Sequence, residues 1–112
     1  MLQAEREQKI LQVVQTIPTT TEGVFATPVD WQYLSKEIMD NKIKPWVVTS
    51  FTKFFGQPHD DMVNFVVEMI KAQQPPATLA SELRPILDDE TDTFMLKLWR
   101  MIIFETRFVQ QS

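Results

Sequence analysis

Apolar residues in this chain recur every three or four positions and nowhere alternate convincingly, a pattern that predicts helices and no sheet. The cleanest stretch is DDMVNFVVEMI, where Met62, Phe65, Val66, Met69 and Ile70 stand at i, i+3, i+4, i+7 and i+8. Asp60 is expected to cap that helix, and Asp60 and Asp61 suit its positive end. QQPP at 73–76 ends it. Residues 2–15 place Leu2, Ile10, Leu11 and Val14 among Glu, Gln, Arg and Lys, the pattern of an amphipathic helix that is weakly apolar at its start. Residues 16–29, TIPTTTEGVFATPV, read as a connection with Val24 and Phe25 anchored on the body. Asp30 is expected to cap a short helix carrying Trp31, Leu34, Ile38 and Met39. The segment 16–40 is therefore an extended connection and short helix packed on a core that spans 41–109.

The run NKIKPWVVTS asks whether Pro45 breaks the fold. Proline is favoured in the first turn of a helix, where its missing N–H would lack a partner anyway. With Pro45 there, Ile43, Trp46, Val47, Phe51, Phe54 and Phe55 share one apolar face, and Gly56 is a natural stop. Trp46 is thus expected to point inward. A further helix has Leu79, Leu83, Ile86 and Leu87 as its inner face, with Pro85 kinking or shortening its last turn. The last helix begins after Asp88-Asp89-Glu90 and runs to about Phe108. At about 100° per residue, Phe94, Met95, Leu98, Trp99, Met101 and Ile102 fill a broad arc, which makes this helix the centre of a bundle. Thr93, Lys97, Arg100, Phe104 and Arg107 fall on the opposite arc, an outward stripe of three cations and one aromatic ring. The expected core includes Trp46, Val47, Phe51, Phe65, Leu98 and Trp99.

Composition narrows the chemistry. The chain has 112 residues, a natural length for one domain, and 44% hydrophobic content argues against disorder. With no cysteine there is no disulfide framework and no thiolate catalysis. Two glycines, Gly23 and Gly56, are too few for a phosphate-cradling loop. No apolar run reaches the length of a membrane span and the N-terminus lacks a signal-peptide pattern, so the expectation is a soluble intracellular protein. The abrupt start and the tail FVQQS read as the ends of a fragment. The net charge of −4 offers no global attraction to nucleic acid, so any such activity needs a local basic patch.

These residues also carry a family resemblance. IKPWVVTSFTKFFG, DDMVNFVVEMI and ILDDETDTFMLKLWRMIIFET resemble the PWI domain of pre-mRNA splicing proteins, above all the C-terminal PWI domains of RNA-binding-motif splicing regulators. IPTTTEGVFATPVDW, residues 17–31, resembles the extension that precedes the motif in that group, so the likeness covers residues 17–107. Trp46 matches the motif tryptophan, and Val47 stands where isoleucine is usual. The resemblance implies an all-α, PWI-type four-helix bundle with an additional N-terminal helical extension, a nuclear location and a role in splicing. It also implies binding of RNA or of single- or double-stranded DNA with little sequence preference, through basic residues.

The candidates for that contact are Lys42, Lys44, Lys53, Lys97, Arg100 and Arg107, with Phe104 placed to stack on a base or fill a partner's pocket. Lys42 and Lys53 are eleven residues apart and would share a face if their helix began early enough to include Lys42. Where relatives have an arginine-rich run before the motif, this chain has MDNKIK. That dilution and the net negative charge favour an alternative, a protein-interaction module of a spliceosomal assembly. The bland reading of the stripe on the last helix is a solvated face. Asp88, Asp89, Glu90 and Asp92 are better explained as helix-end acids than as metal ligands. His59 has no nucleophile in a recognisable motif near it. No metal, cofactor or catalytic role is expected, no membrane partner is expected, and the domain is expected to be a monomer.

Overall fold

The structure, a computed structural model, describes residues 3–110. Among them every regular element is helical. Helix α1 spans Gln3–Gln15 and α2 spans Thr21–Ala26; a 3-10 turn at Trp31–Tyr33 leads to the short α3, Lys36–Ile38. A π-turn, Met39–Ile43, runs straight into α4, Lys44–Phe55. Helices α5 (Asp60–Lys71) and α6 (Pro76–Leu87), a 3-10 turn (Asp88–Glu90) and α7 (Thr91–Gln110) complete the chain. The all-α bundle implied by the apolar period is what the chain forms.

Helix α7 is the central element. It packs against α6, α2, α1 and the 3-10 turn at Trp31–Tyr33, while α4 lies along α5. Phe94, Met95, Leu98, Trp99, Ile102, Ile103 and Thr106 are all buried on it. The Thr106 hydroxyl donates back to the Ile102 and Ile103 carbonyls (2.9 and 3.1 Å), so a buried polar group is satisfied within the helix. Val47 and Phe51 enter the core from α4, and Phe51 stacks on Phe94 with ring centroids 5.3 Å apart. Arg84 of α6 donates to the Asp92 carboxylate at 3.0 Å, which ties the start of α7 to its neighbour.

Val66 and Ile70 of α5 and Leu79, Leu83 and Leu87 of α6 are buried as expected, but other positions face differently. On α5 the buried residues are Val63, Val66, Val67 and Ile70, and Phe65 is 39% exposed. Two overlapping apolar arcs exist there, and the β-branched one packs. Likewise, of the described side chains of α1 the buried one is Val13, while Leu11 and Val14 are exposed; Leu2 lies outside the described residues. On α6 the buried residues are Leu79, Ala80, Leu83 and Leu87, and Ile86 is exposed. Trp46 is only part-buried, because α4 turns Val47 and Phe51 inward and leaves the indole at the edge of the core.

The caps and connections differ too. Asp30 makes no capping bond; Ser35 does, its hydroxyl accepting from the Ile38 N–H at 3.1 Å. Asp60 is the first residue of α5 rather than its cap, and the preceding His59 makes no side-chain capping bond. The connection 16–29 contains a helix, α2, whose start is capped by Thr20 accepting from Gly23 N–H at 3.1 Å. A Cβ on Gly23 would sit 2.8 Å from the Pro18 Cβ, so glycine is what lets the turn close on itself. Helix α6 continues past Pro85 to Leu87, and α7 extends to Gln110. Pro45 stands in the first turn of α4, but that turn has no free end. Ile43 and Lys44 are already right-handed helical, and the Lys44 N–H bonds the Met39 carbonyl five residues back. The extra residue of the π-turn accommodates a proline that a regular helix would resist.

Candidate nucleic-acid interface

Lys53 is on the outer side of α4, near its end, and Lys97 is one turn and a half into α7. Packing of the two helices brings both lysines to one groove of about 170 Å³. Trp46, Phe54 and Phe94 line it, together with Ser50, Glu90 and Thr93. Phe94 is 2% exposed and forms the floor. Trp46 stacks on it with centroids 5.3 Å apart and planes 25° from parallel. Phe54 meets it edge-on at 6.2 Å and is itself 37% exposed. Two exposed lysines therefore flank a slot with aromatic walls, a combination suited to a polyanion that also carries planar rings.

The remaining candidates are elsewhere. Lys42 lines a different cleft, of about 470 Å³, with Tyr33, Ile38 and Val109. It faces Glu105, whose carboxyl is pushed above its ordinary value by burial, against the opposing pull of Lys42. The π-turn separates Lys42 from Lys53. One extra residue in the turn rotates the preceding side chains by roughly 100° relative to a regular helix. Lys44 is exposed and lines neither cleft.

The stripe on α7 is not continuous either. Arg107 donates from one Nη1 to the Thr16 carbonyl and hydroxyl, at 2.9 and 3.0 Å, and so holds the end of α1. Phe104 stacks on Phe108 at 5.5 Å, and the Lys9 ammonium of α1 lies 4.3 Å from the Phe108 ring centre. Arg100 is part-buried, with its Nε enclosed and without a hydrogen-bond partner. Of the stripe's cations, Lys97 alone joins the groove with Lys53, and Thr93 lies there too; α1 covers the far end. Phe54, Ser50, Glu90 and Thr93, which line this groove, are not among the contact residues expected from sequence. Phe54 falls near the middle of the apolar arc of α4 at about 100° per residue, so period gave no sign that its ring would stay 37% exposed. The pairing of Lys53 with Lys97 had no signal either, because it depends on how two helices pack. A second lysine-flanked groove, of about 340 Å³, places Trp31 beside Lys36 and Lys71.

Among the described residues, no His, Cys, Asp or Glu side chains gather in threes that could hold a metal ion. No helix among them is long and apolar enough to cross a membrane.

The comparison with known proteins agrees with this architecture. The profile of the PWI domain matches residues 41–109. The chain belongs to the PWI domain family. This PWI domain is 29% identical over 102 residues to RNA-binding protein 25 of Homo sapiens, covering 91% of the chain and 12% of that protein. It is 31% identical over 99 residues to RNA-binding motif protein 25 of Arabidopsis thaliana, covering 88% of the chain and 11% of that protein. A U1 snRNP-associated protein of Schizosaccharomyces pombe is 22% identical over 99 residues, covering 88% of the chain and 14% of that protein. The chain thus spans only a small part of each of these relatives. The profile begins within the π-turn, so α1, α2, the 3-10 turn at Trp31–Tyr33 and α3 lie before it.

Proposed function

We propose that this PWI domain is a nucleic-acid-binding module of a nuclear pre-mRNA splicing factor, without catalytic activity. It holds RNA or DNA mainly by the phosphate backbone, with little sequence preference, and works as a monomer beside other domains. The observation that carries this reading is the meeting of Lys53 and Lys97 at one aromatic-walled groove. The names of its relatives, RNA-binding and U1 snRNP-associated, support the setting. Such a contact is electrostatic, so affinity falls steeply with salt. Each phosphate contact on a single strand contributes about 0.7 to the slope of log affinity against log salt.

Fluorescence anisotropy with labelled oligonucleotides tests this. Replacing both lysines, Lys53→Glu and Lys97→Glu, is expected to lower the slope by about 1.4 and to weaken binding at least about tenfold at low salt. Lys36→Glu with Lys71→Glu makes the same change in net charge at the other groove and is expected to keep a slope near that of the parent. Absence of binding even at about 20 mM salt would remove the reading.

The 470 Å³ cleft supports a second reading, a protein-interaction module within a spliceosomal assembly with weak or no nucleic-acid binding. Its walls include Tyr33, Ile38 and the exposed Val109, an apolar surface with Glu37 and Lys42 at the rim. Here, recovery of spliceosomal proteins should survive nuclease treatment and be lost with Ile38→Asp. Recovery that disappears with the RNA counts against it.

A further inference from the structure

We infer that the groove between α4 and α7 takes a single unpaired nucleobase, so that the domain prefers single-stranded to double-stranded nucleic acid. This rests on the backbone-binding reading above and goes beyond it, because backbone contact alone does not distinguish strands by their bases.

The groove is built as an aromatic slot. Phe51, Phe94 and Trp46 form a stack, with both steps at 5.3 Å and both interplanar angles near parallel, at 23° and 25°. The stack begins in the core at Phe51, which is fully buried, and ends at the part-exposed Trp46. Phe54 stands edge-on to Phe94 and 37% exposed. A chain that buries Val47, Phe51 and Phe94 nearly completely leaves these two large rings open to water at the same groove. A planar ring entering there would gain contact with aromatic surfaces already held in place. At about 170 Å³ the slot has room for one heterocycle and not for a run of stacked ones.

The polar rim chooses the part of the ligand that goes in. Glu90 lines the groove beside the Ser50 and Thr93 hydroxyls. A phosphate pushed inside would meet the Glu90 carboxylate and be repelled. The N–H edge of a base would instead find in it an acceptor. Lys53 and Lys97 reach from opposite helices and are placed for the phosphates on either side of an inserted base. In a duplex the bases are paired and stacked, and extruding one costs a few kcal/mol. A duplex is therefore left with the lysines alone.

The test compares three probes at about 50 mM salt: a short oligoribonucleotide, a strand of equal length whose bases are replaced by abasic sites, and a duplex. Stacking of one base predicts about tenfold weaker binding of the abasic strand and of the duplex. Phe54→Ala should remove most of that gap by weakening the base-bearing strand alone; circular dichroism confirms that the variant is folded. Glu90→Lys should narrow the gap from the other side, by raising affinity for the abasic strand. A DNA strand run in parallel should show the same dependence on its bases. Equal binding of base-bearing and abasic strands, in both RNA and DNA, overturns the inference and leaves the backbone-binding reading standing. Loss of all binding at this salt and at about 20 mM overturns both.

Discussion

Two helix ends in this chain meet the same backbone demand with different residues. Helix α4 stops at Gly56, with φ of 78° and its N–H on the Thr52 carbonyl at 2.8 Å. Helix α5 ends at Lys71 with Ala72 as its cap, and the next residue, Gln73, takes φ of 58°. The Gln74 N–H reaches the Met69 carbonyl (3.1 Å) and the Gln73 N–H reaches that of Ile70 (2.9 Å), the pairing of a Schellman end. Glycine suits that left-handed position without a Cβ clash, and glutamine does not. Gln73→Gly is expected to stabilise the domain by about 0.5–1 kcal/mol, measured by urea denaturation. Glu105 is a different case of a residue at odds with its surroundings. Burial raises its folded-state pKa, so the folded chain binds more protons than the unfolded chain as pH rises from about 4.5 through that raised value. Stability therefore declines across that window, and the loss persists at neutral pH. Glu105→Gln should raise the melting temperature at pH 7, the gain shrinking as pH falls below the ordinary carboxyl value of 4.5. Thermal melts across that range check both the sign and the window.

At the scale of elements, α1 is the least firmly embedded of the long helices. Only Val13 of its described side chains is buried, with Leu11 59% exposed. Contacts that help to fasten it include the Arg107 bond pair to Thr16 and the Lys9 contact over Phe108. Arg107→Ala should speed amide hydrogen exchange in α1 by about five- to tenfold and leave α5 unchanged. Unchanged protection of α1 would assign its docking to Val13 and Ile17 instead. The elements themselves were largely legible: the long helices follow from the apolar period, and Gly56 and QQPP mark ends that the chain observes. Helix α2 was hidden in a segment of threonines, proline and glycine, all poor helix formers. It exists because Val24 is drawn into the core beside α7 and Thr20 caps the first turn. The shifted face of α5 and the exposure of Ile86 on α6 have a related cause. Where two arcs are both apolar, period alone cannot choose between them, and shape at the helix contact decides.

The whole molecule measures 43 × 27 × 23 Å, and α7, with 20 residues, runs through much of it. Its net charge of −4 sets the scale of any interaction with nucleic acid. Under the proposed reading, acidic surface elsewhere would repel the phosphates that Lys53 and Lys97 would attract, and the lower salt slope expected on charge reversal belongs to the groove. By itself the sequence determined the helical class, the central place of the last helix, the membership implied by Pro45-Trp46-Val47 and its flanking runs, and the inventory of cations. These depend on local period and on residue identity, which are written along the chain. Tertiary structure alone decided where those cations lie: Arg107 is drawn to Thr16, Lys42 lies near Glu105, and Lys53 and Lys97 line one groove with Trp46 and Phe54. The reason is geometric. A π-turn of one extra residue and the packing of α4 against α7 set distances between residues far apart in sequence, and neither leaves a periodic trace.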